Sequence, residues 1–182
     1  MQPIKYLTNT LEKLANSEHY LFTLHDLRAL LPHASASTFK TLLSRGVKAG
    51  YFIRLCRGLY LYKRNIPATG LILFHAAARL RANDFNYISL ETVLSDSGII
   101  SQQPINWITI MSSGRSNKII CNHFGTIEFI HTHQQPSEIR EELHYDPRYK
   151  LWCANVKQAL RDMRVTKRDT DLVDWELANE FI

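Results

Sequence analysis

Cysteine is scarce in this chain of 182 residues. There are three, Cys56, Cys121 and Cys153, far apart and without a CxxC pair. An odd, scattered set argues against a disulfide scaffold or a structural zinc site and fits free thiols in a reducing compartment. Long apolar runs are missing as well. The longest, Gly70-Leu71-Ile72-Leu73-Phe74, gives way to His75 and three alanines, far short of the roughly 20 residues that span a bilayer. Met1-Gln2-Pro3-Ile4-Lys5 lacks the layout of a signal peptide, so a cytoplasmic, soluble protein is expected. No low-complexity tract occurs, and 45% of the residues are hydrophobic, which excludes disorder for the bulk of the chain. P-loop, nucleophile elbow and dinucleotide fingerprint are all absent. No enzymatic activity and no cofactor are expected.

Acidic residues are also rare in the first third. Up to Ile66 there are ten basic residues against Glu12, Glu18 and Asp26, a local charge of +7. The remainder carries −2. A basic module joined to a mildly acidic one suggests that the two parts meet different partners. The segment Ile66-Pro67-Ala68-Thr69-Gly70 has the Pro and Gly of a boundary. Domains over 1–65 and 66–182 are expected.

In the first part, Leu7, Leu11 and Leu14 recur at helical spacing, which predicts a helix from Ile4 to about Ser17. Thr23 and Asp26 form a start signal for a second helix, with Leu24, Leu27, Leu30 and Leu31 on its buried face and Pro32 at its end. A third helix is expected from Ser35 or Ser37 to about Ala49, with Phe39, Leu42, Leu43 and Val47 as its apolar stripe and Gly50 as its stop. Two β-prone runs, Tyr51–Leu55 and Leu59–Tyr62, flank Cys56-Arg57-Gly58 and read as a hairpin. Three helices and a hairpin make the winged helix-turn-helix order.

In the second part, the pattern predicts a helix over Thr69–Arg81 and a short one capped by Ser89 and ending near Gly98. It predicts β-structure from Trp107 to His133 around a Phe124-Gly125 turn, a helix over Tyr149–Met163, and a terminal helix over Leu172–Phe181. The fold class is α+β: an N-terminal winged helix-turn-helix, then a mixed α/β domain.

A recognition helix presents small polar and basic side chains on one face, because base edges and phosphates are polar and anionic. Ser37, Thr41, Ser44, Arg45 and Lys48 fall on one stripe of the third helix, away from Phe39 and Leu43, with Thr38 and Lys40 in its first turns. Arg54 and Arg57 sit on or near the hairpin turn, where an arginine reaches phosphate or minor groove. Lys63 and Arg64 extend the basic surface. The candidate DNA-binding residues are therefore Ser37, Thr38, Lys40, Thr41, Arg45, Lys48, Arg54 and Arg57, with double-stranded DNA as the partner, which the resemblance given next implies is promoter DNA.

These residues also carry a family resemblance. Gly50-Tyr51-Phe52-Ile53-Arg54-Leu55-Cys56-Arg57-Gly58-Leu59-Tyr60 resembles the wing of AbiEi-type antitoxins, and Tyr87–Ile100 is similar to that family's YISLESALSxxGLI segment. The later stretch with Ile108-Thr109 and Phe124–Phe129 is similar too. The resemblance implies an antitoxin of a type IV toxin–antitoxin (abortive infection) pair. Its winged helix would repress its own operon. Its C-terminal domain would counteract a nucleotidyltransferase-like toxin, generally without a stable complex. The family's A-x-x-E-K-A-L-x-D helix appears as Ala154–Asp162, with a departure at its glutamate and with Ala159, Leu160 and Asp162 in register.

Other clusters read more plainly. Cys121, His123, His131 and His133 have i, i+2 spacing; a hairpin turn at Phe124-Gly125 would set His123 opposite Thr126 and Cys121 opposite Glu128. That leaves the set unconverged and predicts no metal. Ser112-Ser113-Gly114-Arg115-Ser116 is a polar loop able to touch nucleic acid or nucleotide. Glu91, Asp96, Glu128, Glu141, Glu142, Asp146 and Asp162 are carboxylates that no motif ties into a catalytic pair. The acidic tail, with Trp175, reads as a packed terminal helix or a docking surface for a basic partner. A ligand-sensing winged-helix transcription factor and a winged-helix-guided nuclease remain as alternatives.

Overall fold

The computed structural model describes residues 3–67, 70–101 and 106–182. The chain divides into two compact units, Met1–Thr69 and Gly70–Ile182. Of the segment read as a boundary, residues 68 and 69 lie outside the described residues, as does the expected start of a helix at Thr69.

The first unit runs α1 (Pro3–Leu14), β1 (Leu21–Thr23), α2 (Leu24–Ala29), α3 (Ala36–Lys48), β2 (Phe52–Cys56) and β3 (Leu59–Tyr62). Its strands form an antiparallel sheet in the order β1-β3-β2. Leu7 and Leu11 of α1, Leu27 of α2, Phe39, Leu42 and Leu43 of α3, and Phe22 and Phe52 of the sheet close one core. Helix α1 stops three residues before the expected Ser17, because the Asn16 side chain accepts from the Glu18 and His19 amides, both at 2.8 Å, an Asx turn that competes with the helix. Strand β1 was not foreseen; three residues are too few to show a period.

Thr23 caps α2 as expected. Its hydroxyl accepts from the Asp26 amide at 3.1 Å, and the Asp26 carboxylate accepts from the Thr23 amide at 2.8 Å. Thr23→Ala is expected to lower the stability of this unit by about 1–2 kcal/mol, read as a lower urea midpoint. Leu24 does not join the buried face; it is 40% exposed at the first position of α2, and Leu27 and Leu31 carry the packing.

Helix α3 starts at the Ser35 cap, whose hydroxyl accepts from the Thr38 amide, and ends at Gly50 with φ +76°. Mid-helix Gly46 faces Phe52, and a Cβ there would lie 2.6 Å from the ring. The glycine thus sets how closely α3 lies on β2. The hairpin turns at Arg57-Gly58, with Cys56 paired to Leu59 and Gly58 at φ +83°.

The second unit contains α4 (Ile72–Leu80), β4 (Asn86–Ile88), α5 (Glu91–Asp96), β5 (Trp107–Ser112), β6 (Asn117–Ile120), β7 (Thr126–His131), β8 (Leu143–Asp146), β9 (Leu151–Ala154), α6 (Val156–Val165) and α7 (Trp175–Ala178). Six strands pair in the order β6-β7-β5-β4-β9-β8. The β6–β7, β4–β5 and β8–β9 joins are antiparallel, and β5–β7 and β4–β9 are parallel. Every residue of β4, and of β5 from Ile108 onward, is buried. Both faces of the central strands are therefore covered, as parallel pairing usually requires.

Four expectations for this unit are corrected. The helix expected over Tyr149–Met163 begins only at Val156; Leu151–Ala154 is strand β9, paired with β8, and Asn155 caps α6 by accepting from the Gln158 amide at 2.8 Å. Four apolar residues fit either period, and the hairpin partner decides. Ser89 does not cap α5. Leu90 occupies that position at φ 60° with no side-chain bond, and the Ser89 hydroxyl is used elsewhere. The β6–β7 register places Ile120 opposite Thr126 and Lys118 opposite Glu128. A 3-10 turn over Asn122–Phe124 lengthens the connection and removes Cys121 and His123 from the ladder. The terminal helix is shorter than expected: Trp175–Ala178, then a 3-10 turn.

Candidate nucleic-acid interface

All eight side chains expected to meet DNA are solvent-exposed. Six ride on α3, with Phe39, Leu42 and Leu43 anchoring the opposite face. Ser37 and Thr38 gather around the cap, their hydroxyls 2.9 and 2.8 Å from the Ser35 hydroxyl, and the Thr41 hydroxyl donates to the Ser37 carbonyl at 3.0 Å. Those bonds fix rotamers and leave lone pairs for a further partner. Lys40, Arg45 and Lys48 project from the same helix. Arg54 lies on β2 and Arg57 in the turn of the hairpin.

The electrostatics are one-sided. No carboxylate occurs between Asp26 and Asp84, so α3 and the hairpin contain none. Asp26 is held in the α2 cap, and Glu12 pairs with Arg64. Arg64 therefore meets a carboxylate at the edge of this surface, in a pair that stays solvent-exposed. The structure adds Arg28 of α2, whose guanidinium lies 5.3 Å over the Phe39 ring. Its place beside α3 is set by tertiary packing, which spacing within α2 does not show.

An apolar groove of about 470 Å³ lies at the start of α3, lined by Tyr6, Leu30, Leu31, His33 and Thr38 among others.

The remaining candidates lie in the second unit. The three serine hydroxyls of the Ser112–Ser116 loop are engaged within the unit, while the Arg115 side chain stays exposed. The Arg81 guanidinium, 4.0 Å over Phe129, donates to Ser112 Oγ, the Arg115 carbonyl and Asn117 Oδ1. Ser113 Oγ accepts from the Phe85 amide, and Ser116 Oγ from the His131 amide. His131 Nε2 and His133 Nδ1 are 3.4 Å apart at the end of β7, whereas Cys121 and His123 flank its beginning. Among the described residues no three His, Cys, Asp or Glu side chains converge on a possible metal position.

Two carboxylates that sequence left unconnected, Glu91 and Glu128, are joined by Arg168. Glu128 also meets Lys118 at 3.4 Å and the Trp107 indole N–H at 3.2 Å. Burial pushes its carboxyl up, but Arg168, Lys118 and Trp107 together bring it below the usual range. Glu142 and Asp146 are likewise held low, chiefly by hydrogen bonds from Asn155 and Arg148. Asp162 behaves differently. It is fully buried, and its carboxylate accepts from Ser89 Oγ at 2.6 Å, Gln158 Nε2 at 2.7 Å and Gln134 Nε2 at 3.4 Å. Burial still pushes its pKa up. The two segments quoted above for the second unit, Tyr87–Ile100 and Ala154–Asp162, thus meet through the Ser89–Asp162 bond.

Residues 9–63 match the family model described as transcriptional regulator, AbiEi antitoxin. The match spans the helices and the wing and supports the resemblance read from the hairpin. No curated protein matches the chain. The fold is similar to the crystal structure of the Rv2827c protein from Mycobacterium tuberculosis, with a TM-score of 0.55 and 12% identity over 92% of this chain. This chain spans 63% of that protein's length. Among the described residues no helix is long and apolar enough to cross a membrane.

Proposed function

We propose that this protein is the antitoxin of a type IV toxin–antitoxin system and a cytoplasmic, DNA-binding repressor of its own operon. Residues 1–65 bind promoter DNA, and residues 66–182 counteract a nucleotidyltransferase-like toxin without forming a stable complex. The observation that carries the DNA half is the carboxylate-free surface of α3 and the hairpin, where eight polar or basic side chains stand exposed on a packed scaffold. The N-terminal residues of α3 meet base edges in the major groove. Lys40, Arg45, Lys48 and Arg54 meet phosphates, and Arg57 reaches phosphate or minor groove. The family match over residues 9–63 supports the regulator and antitoxin roles.

The test is fluorescence anisotropy with duplex DNA from immediately upstream of the gene and a scrambled duplex of equal length. Selective binding by the wild type, lost in Arg45→Ala/Lys48→Ala, is the expected result. Equal binding to both duplexes, or equal binding by both proteins, refutes the assignment of α3. Co-expression with the neighbouring toxin separates the two halves, because rescue of growth should survive the α3 substitutions and fail without the second unit.

A ligand-sensing regulator is the second reading. The apolar groove beside Thr38 favours it, and a small apolar ligand that shifts operator affinity would establish it.

A further inference from the structure

We propose that a second binding site, on the second unit, takes a guanidinium group carried on an aliphatic stem, as in an arginine side chain. The site is a cleft of about 360 Å³ between α5 and the β8–β9 hairpin, within the about 300–1,000 Å³ of most ligand pockets. Ile88, Val93 and Ala154 form an apolar wall, and Asp96, Ser97 and Tyr149 are among its polar residues.

The walls are set before any guest arrives. Helix α4 holds the turn between β8 and β9 from behind: His75 Nε2 donates to the Arg148 carbonyl at 2.7 Å, and the Phe74 and Tyr149 rings lie 4.3 Å apart. Asp146, also on the cleft, is already neutralised, because its carboxylate accepts from the Arg148 guanidinium at 2.6 Å. Asp96 is not. Among the described residues its carboxylate has no hydrogen bond and no ion pair. It is the last residue of α5, beside the free carbonyls of the helix end, where a negative charge is unfavourable. The cleft walls push its pKa up, and no cation offsets that shift. Burial first, and the Asp96 charge after it, push up the Tyr149 hydroxyl. Burial, Asp146 and Asp96 together push the Cys153 thiol on the same wall up to about 12. The Asp96 carboxylate therefore acts across the cleft on the hairpin that faces it.

The chemistry of the walls selects the guest. An acid that sits at an unfavourable helix end without a counter-ion is accounted for by a cation that comes from outside. Two parallel N–H groups of a guanidinium match one carboxylate. Its other N–H donors find acceptors in the Ser97 and Tyr149 hydroxyls, whose lone pairs are unused. A guanidinium is also more weakly hydrated than an ammonium, so it enters a partly apolar cleft at lower cost. Its stem lies along Ile88, Val93 and Ala154, as the stems of long basic side chains do on apolar surface. An anion meets two carboxylates and an arginine that is already engaged. A neutral guest leaves Asp96 as it was.

The test is isothermal titration calorimetry of the full chain with Nα-acetylarginine methylamide and with its citrulline and lysine counterparts. Citrulline keeps the shape of arginine and lacks the charge. Saturable binding of the arginine compound is expected, with citrulline weaker by about tenfold or more and lysine between the two. That comparison alters the ligand and not the protein, so misfolding cannot mimic it. The methyl resonances of Ile88 and Val93 should shift with arginine and locate the guest. Asp96→Asn should weaken arginine by about tenfold with an unchanged or higher melting temperature, because the lost charge sat at the carbonyl end of α5; a merely structural role predicts a lower one. Glu176→Gln, which removes an exposed acid of α7, should bind as the wild type does. Two further titrations distinguish the sources: tighter binding of a blocked Gly-Gly-Arg-Gly-Gly peptide assigns the group to the side chain of a protein partner, and tighter binding of free arginine assigns it to a small molecule. No saturable binding at millimolar concentration, equal arginine and citrulline affinities, lysine as tight as arginine, full binding by Asp96→Asn, or an equal loss in Glu176→Gln overturns the proposal.

Discussion

Replacing Arg45, Lys48 and Arg57 together by alanine is expected to weaken duplex binding by about a hundredfold or more at physiological salt, and to flatten its salt dependence. Each phosphate contact contributes about −0.9 to the slope of log affinity against log salt. Three lost contacts therefore reduce the slope by nearly 3. All three side chains are exposed, and none takes part in a cap or the core, so the fold is expected to persist. A base contact among them adds a different signature. Losing it relaxes selectivity at one position by about 1–3 kcal/mol, whereas losing a phosphate contact weakens all sequences alike. An unchanged slope in the triple variant places the DNA surface somewhere other than α3 and the wing.

The second large effect is expected at Asp162. Asp162→Ala removes the acceptor for Ser89, Gln158 and Gln134 in a fully buried position. A buried donor left unpaired costs about 1–3 kcal/mol, so the second unit should lose about 3 kcal/mol or more, read in a urea titration. Asp162→Asn keeps the volume and one acceptor oxygen and is expected to cost less. The pH dependence separates the causes. The folded-state pKa of Asp162 is raised, so the native state holds this proton more tightly than the unfolded chain. Its contribution is full below the unfolded value near 4 and declines as pH rises through the raised folded value. Glu128 runs the other way. Its folded value is depressed, so its contribution is present above the unfolded value near 4.3 and is lost as pH falls through the folded one. In Asp162→Asn the decline above the unfolded carboxyl value should vanish and the loss from Glu128 as pH falls should remain. An Asp162→Asn profile that parallels the wild type removes Asp162 as the source.

The first unit was legible because its signals are local. A capping box four residues long, an apolar stripe on one helix and a turn glycine each announce an element within its own span. Thr23 with Asp26, Phe39 with Leu43, and Arg57-Gly58 all held. The second unit was less legible because its deciding partners are distant. Leu151–Ala154 fits helix or strand until β4 and β8 are placed beside it. Ser89 looks like a cap until Asp162, 73 residues later, takes its hydroxyl. Glu91 and Glu128 carry no shared motif, and only Arg168 brings them together. Asp96 gave no hint of a cleft, since the residues opposite it, Tyr149 and Cys153, come from a hairpin far along the chain. The missed strand β1 is a case between the two, with β-prone residues too few to register.

The pairing order of the larger sheet also fixes when each half of the molecule comes into being during synthesis. The first unit closes its sheet between Leu21 and Tyr62. Strand β4 must wait about 65 residues for β9, since Tyr87 pairs with Trp152. Domains fold as units from the N-terminus as the chain is made, and distant pairings come slowly. A chain still on the ribosome therefore holds a finished helix-and-hairpin module while the central strands downstream lack a neighbour. Interrupted translation or proteolysis before Leu151 leaves the finished first unit, followed in the chain by a strand β4 that lacks β9. The proposed DNA binding would arise first on each new molecule, and whatever the second unit does would follow only once β9 has been delivered.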